Sequence, residues 1–149
     1  MKNRTDRFRI LLIEDNVDRV NLFKQWLCEE GLLTVASSVG KAMGMLLRDK
    51  GRVYSGILLD HDLQEQVITD SDLYLSSTNL VDLIIENIEK DVPILMHSMN
   101  SVQTVPMKKK LESAGFEVTQ NPMADFTKLS FNEWQSLCYE LWMDSLECE

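Results

Sequence analysis

Short unbroken apolar runs alternate with longer stretches of period near 3.6 along this chain. Ile10-Leu11-Leu12-Ile13, Leu33-Thr34-Val35-Ala36, Val53 to Leu59, Pro93-Ile94-Leu95-Met96 and Phe116 to Thr119 read as five strands. Val, Ile and Leu without polar alternation suit strands covered on both faces. Between them, Val17 to Glu30 places Val20, Phe23, Trp26 and Leu27 on one side of a helix, and Gly31 suits a left-handed end. Val39 to Lys50, closed by Gly51, buries Ala42, Met43, Leu46 and Leu47 as a stripe, and Thr78 to Lys90 does the same with Leu80, Leu83, Ile84 and Ile88. Val105 to Ser113 is a fourth helix ending near Gly115. Ser130 to Leu146 is the fifth, with Phe131, Trp134, Leu137, Cys138, Leu141 and Trp142 at helical spacing and Ser130 and Glu133 spaced as a capping box. Gln64 to Ser77, rich in Ser, Asp and Thr, reads as a loop or lid.

Five strands alternating with five helices predict an α/β fold, a parallel sheet with helices on both faces. Right-handed crossovers restrict it to a few doubly wound arrangements, of which the flavodoxin-like five-stranded order 2-1-3-4-5 is the expected one. In that order the first, third and fourth strands lie together in the middle. The 149 residues fit one domain spanning 1–149, with a core over about 9–143.

Hydrophobic residues at 44% and charged residues at 26% describe a globular, water-soluble chain, and no run approaches the ~18 apolar residues of a membrane span. The net charge of −9 argues against a nucleic-acid-binding surface, because Lys2 to Arg9 and Lys108 to Lys110 are the dense basic stretches and read as solvated faces. The apolar segment after the basic start is short and runs straight into Glu14-Asp15, so it reads as a strand and not as a signal peptide. Cys28, Cys138 and Cys148 show neither metal nor redox spacing, which favours reduced thiols and a cytoplasmic location.

Three of the apolar runs end in residues able to do chemistry: Glu14-Asp15-Asn16, Asp60-His61-Asp62 and His97-Ser98-Met99-Asn100. Open α/β sheets carry ligand sites at the carboxyl ends of their strands, so the 2-1-3-4-5 order merges these endings into one pocket. Glu14, Asp15, Asp60 and Asp62 crowd like charges together and would share protons or collect a hard cation, Mg²⁺ or Mn²⁺. His61 or His97 would serve as general acid or base. Alternation along a strand sends His97 and Ser98 to opposite faces, and the expectation favours Ser98 for contact with the pocket. Asn100 and Asn121 read as turn formers that would also suit the site.

These residues resemble the receiver domain of bacterial response regulators, the CheY-like superfamily, over Arg9 to about Met143. The carriers are the acidic pair Glu14-Asp15 after the first strand, Asp60 ending the third, Ser98 ending the fourth, and Pro122 after the fifth. The resemblance implies that Glu14, Asp15 and Asp60 bind magnesium, that Asp60 is a phosphoacceptor and that Ser98 is a switch hydroxyl. It further implies phosphorelay signalling, with a histidine kinase or a small phosphodonor as partner. Asn121 stands where such domains carry a lysine before the proline, and an amide supplies no positive charge.

Leu59-Asp60-His61-Asp62-Leu63 and His97-Ser98-Met99-Asn100 also depart from an ordinary receiver. They resemble more closely the divergent cyclic-phosphate processing receiver domains. That resemblance implies the alternative of a metal-dependent phosphoesterase using Asp60, His61, His97 and Ser98, with nucleic acid entering only as a cyclic-phosphate end. A third alternative is a pseudo-receiver whose last helix docks a protein partner.

Overall fold

A computed structural model describes residues 7–60, 80–97, 101–121 and 127–147. Strands β1 (Arg9–Ile13), β2 (Leu32–Ala36), β3 (Gly56–Leu59), β4 (Ile94–Met96) and β5 (Val118–Gln120) alternate with five helices. The helices are α1 (Val17–Trp26), α2 (Val39–Arg48), α3 (80–87), α4 (Ser101–Ser113) and α5 (Lys128–Glu147). All four strand pairings are parallel and the order is β2-β1-β3-β4-β5, the expected doubly wound arrangement.

Side-chain parity along the strands divides the core in two. Leu11, Ile13, Ile57, Leu59, Ile94 and Met96 face one way, against Ala42 and Leu46 of α2, Ile84 of α3 and Leu111 of α4. Ile10, Leu12, Leu58 and Leu95 face the other way, against Phe23 of α1 and Phe131, Trp134 and Cys138 of α5. Every residue of β3 and β4 is buried, which accounts for their unbroken apolar composition.

Several boundaries differ from the pattern-based reading. Helix α1 stops at Trp26, not Glu30: Leu27 turns extended, and the Cys28 amide donates to the Gln135 side chain of α5 at 2.8 Å instead of continuing the helix. Gly31 is not left-handed; among the described residues only Gly51 (φ 77°) and Gly115 (φ 108°) are. What Gly31 provides is room, since a Cβ there would lie 2.9 Å from Leu27 Cγ. In α2 the buried stripe is Val39, Ala42 and Leu46, while Leu47 is 53% exposed because it sits about 100° around the helix from Leu46.

Helix α4 is already helical at Ser101 and contains Pro106, where the sequence pattern starts it only at Val105. Helix α5 begins two residues before Ser130, because Thr127 is the cap: its Oγ1 accepts the Ser130 amide at 3.1 Å. The proposed Ser130–Glu133 box therefore does not start this helix. Loop 64–77 lies outside the described residues. Among the described residues no helix is long and apolar enough to cross a membrane.

Gly56 is a point of close approach between α5 and the sheet. A Cβ there would lie 2.6 Å from Cys138 Sγ, 2.9 Å from Trp134 Cη2 and 3.1 Å from Ile10 Cδ1. We expect Gly56→Ala to lower the unfolding free energy by about 1–3 kcal/mol through overpacking, with partial recovery in Gly56→Ala/Cys138→Ala. Urea denaturation checks this; a loss below ~0.5 kcal/mol, the range of ordinary surface substitutions, would show that α5 is not seated this closely.

Candidate functional site

The sheet register builds the site. Ile13 pairs with Leu59, Leu59 with Met96 and Met96 with Gln120, so the next positions, Glu14, Asp60, His97 and Asn121, follow one another across four strand ends. Backbone bonds carry the register one step beyond the strands: Asp60 N–H to Ile13 O (3.1 Å), His97 N–H to Leu59 O (3.2 Å) and Asn121 N–H to Met96 O (2.9 Å). Parity then places Glu14, Asp60 and His97 with Leu12, Leu58 and Leu95, on the side covered by α1 and α5. One ligand-type atom from each of these three buried residues lies within 4.8 Å of the others.

Glu14 is the most heavily bonded member. Its Oε1 accepts Arg19 Nε–H at 2.9 Å and meets His97 Nε2 at 2.8 Å. Its Oε2 accepts the amides of Asp15 (3.1 Å) and Asn16 (3.0 Å) and Arg19 Nη2–H (3.1 Å). Burial alone would raise the Glu14 pKa, but the bonds from His97, Arg19 and the Asn16 amide outweigh it and hold the carboxyl far below its ordinary value. Glu14 is thus ionised at neutral pH.

Burial pushes the His97 pKa below its ordinary 6.5, and the Glu14 contact only partly opposes this. The imidazole is neutral at pH 7, with Nε2–H donating to Glu14. Phe23 makes an edge-type contact with the ring, at 5.2 Å between centroids and 66° between planes. No described residue bonds His97 Nδ1.

Arg19 completes the group. Asn16 caps α1 by accepting the Arg19 amide at 3.0 Å, which places the guanidinium one turn into the helix and back over the strand ends. Its Nη2 lies 3.6 Å from Asp60 Oδ2. Its pKa is raised, chiefly by the bond to Glu14, with Asp60 and Asp15 adding to it against burial.

Of the residues singled out by sequence, Glu14, Asp60 and His97 come together, Asp15 is half-buried beside Glu14, and Asn121 is half-buried in the same row. His61, Asp62, Ser98 and Asn100 lie outside the described residues. The stated preference for Ser98 over His97 did not anticipate that His97 shares Glu14's side of the sheet. Arg19 was missed altogether. A cation in a helix's first turn opposes the macrodipole, and such a residue five positions after the acidic strand end Glu14 was the available signal.

No protein-family model and no curated protein matches the chain. Solved structures do. The receiver domain of a sensor histidine kinase from Pseudomonas aeruginosa PAO1, with magnesium coordinated in its active-site cleft, superposes with a TM-score of 0.59 at 20% identity, over 87% of this chain and 94% of that one. The signal receiver domain of a protein described as a LuxO repressor, from Vibrio parahaemolyticus, gives 0.60 at 18% identity, over 96% and 98%. The beryllofluoride-activated NtrC receiver domain gives 0.54 at 14% identity, over 93% and 96%. The fold is therefore the CheY-like receiver-domain fold.

The depressed His97 pKa makes a signed prediction. Below pH 6.5 the unfolded chain takes up a proton at this position that the folded chain refuses, so His97's contribution to stability is complete above pH 6.5 and declines as pH falls below it. Urea unfolding between pH 5 and 8 should show that slope, at most about 1.4 kcal/mol per pH unit from one group. His97→Gln should flatten it. Equal slopes in the two proteins would contradict the assignment.

Proposed function

We propose that the chain is an atypical receiver domain that accepts a phosphoryl group on Asp60 in phosphorelay-type signalling. The observation that carries this reading is the placement of Asp60: a buried carboxylate at the end of the central strand β3, between Glu14 and His97 in the row, with Arg19 at 3.6 Å. In this reading an Asp60 oxygen attacks phosphorus, the bond to the donor's leaving group breaks, and an acyl phosphate remains. A histidine kinase or a small phosphodonor would supply the phosphoryl group.

The donor set suits a divalent cation. Among the described residues the carboxylates Glu14, Asp15 and Asp60 gather around one guanidinium, an oxygen-rich set of the kind that takes hard cations. Asp15 and Asp60 would hold Mg²⁺ through carboxylate oxygens, and Glu14, which engages five donors, would join them only by giving up a bond. When bound, the ion would neutralise charge on the incoming phosphoryl oxygens. His97 keeps Glu14 in place, and Glu14 in turn orients Arg19.

A second reading, a metal-dependent phosphoesterase acting on cyclic phosphates, draws on the imidazole nitrogen of His97 lying within 4.8 Å of Asp60. The bond between His97 Nε2 and Glu14 at 2.8 Å favours the receiver reading, since that nitrogen would have to give up its partner to act as a general acid or base.

Incubation with acetyl phosphate and Mg²⁺, followed by intact-mass and peptide mapping, is expected to show one phosphoryl group per chain on Asp60, absent in Asp60→Asn. An unlabelled wild-type protein would contradict the receiver reading. Opening of a 2′,3′-cyclic nucleotide that is lost in both Asp60→Asn and His97→Ala would establish the phosphoesterase instead.

A further inference from the structure

Among the described residues, Arg19 is the side chain that brings positive charge to this row of carboxylates. Its geometry is that of a fixed donor. Nε and Nη2 grip the two oxygens of Glu14 at 2.9 and 3.1 Å, which sets the plane of the guanidinium and leaves Nη1 out of that pair of bonds. The Glu14 side chain is 0% exposed and Asp60 2%, whereas Arg19 is 30% exposed, so the cation lies where the buried row meets solvent. At 3.6 Å, Nη2 is within ion-pair reach of Asp60 but too far for a good hydrogen bond. An added oxyanion on Asp60 would meet that donor. Asn121, the row's fourth member, offers an amide without charge.

We propose that Arg19 is the phosphoryl-binding cation of the pocket and that Glu14 is its positioning residue. The fork of a guanidinium matches phosphoryl oxygens, and one locked by a buried carboxylate loses little freedom on binding. This inference rests on Asp60 being the phosphoryl site.

Beryllofluoride, which binds an aspartate carboxylate as a phosphoryl mimic, is the probe. Its affinity in Mg²⁺, measured by isothermal titration calorimetry, is expected to fall about tenfold or more in Arg19→Gln. Asn121→Lys placed in that background should restore most of the loss, because it returns a charge to the same row; a purely structural role for Arg19 would not be rescued this way. Arg19→Lys still neutralises Glu14 and keeps the fold should Arg19→Gln fail to, and it is expected to bind severalfold more weakly than wild type for want of the fork. Wild-type affinity in Arg19→Gln or Arg19→Lys, or an Arg19→Gln/Asn121→Lys protein as weak as Arg19→Gln, overturns the role of Arg19 alone. Failure of the wild type to bind beryllofluoride overturns the Asp60 reading and this inference with it.

Discussion

A carboxylate with no exposed surface survives only if donors replace the water it has lost, and Glu14 is such a group. Two backbone amides at the start of α1, both ends of the Arg19 fork and the His97 ring supply them. The site depends on that set. Removing one partner of a buried ion pair typically costs about 3–5 kcal/mol, so the α1 N-terminus, the end of β1 and the end of β4 are tied together where the sheet opens. A charge kept at this cost beside a second buried carboxylate, Asp60, is better explained by binding than by stability, since apolar residues would fill the same space more cheaply.

The arrangement follows from two simple periodicities. The strand period of two decides which residues share a side of the sheet, and parallel register decides which of them are neighbours. Leu12, Leu58 and Leu95 form one apolar row over α1 and α5; two residues further along each strand, the same row becomes Glu14, Asp60 and His97. Core and site are thus the same row at different heights, and Phe23 touches both through the His97 ring.

Much of this was legible in the sequence. The apolar runs identified the strands, their alternation with helices set the order, and three residues of the polar endings, Glu14, Asp60 and His97, come together. What escaped was local. Gly31 and Ser130 carried the residue types of a helix end and a helix cap, yet other side chains decided both boundaries: Gln135 for α1, and Thr127, three residues before Ser130, for α5. Leu47 was assigned to the core because composition does not resolve 100° of rotation. Arg19 was invisible to a search for charge runs, since a single cation acquires meaning only once the cap at Asn16 folds its side chain back over Glu14. Asn121 read as a missing charge, and the structure places the Arg19 guanidinium 3.6 Å from Asp60.

The central claim is that these strand ends form a phosphoryl pocket centred on Asp60, with Arg19 at its mouth. The most direct measurement is a crystal structure of the protein soaked with Mg²⁺ and beryllofluoride. The account predicts density for the beryllium adduct on an Asp60 carboxylate oxygen, with a fluorine within hydrogen-bonding distance of the Arg19 guanidinium and the Glu14–Arg19 pair intact. An Asp60 carboxylate without adduct, or an adduct with Arg19 turned away into solvent, would contradict it.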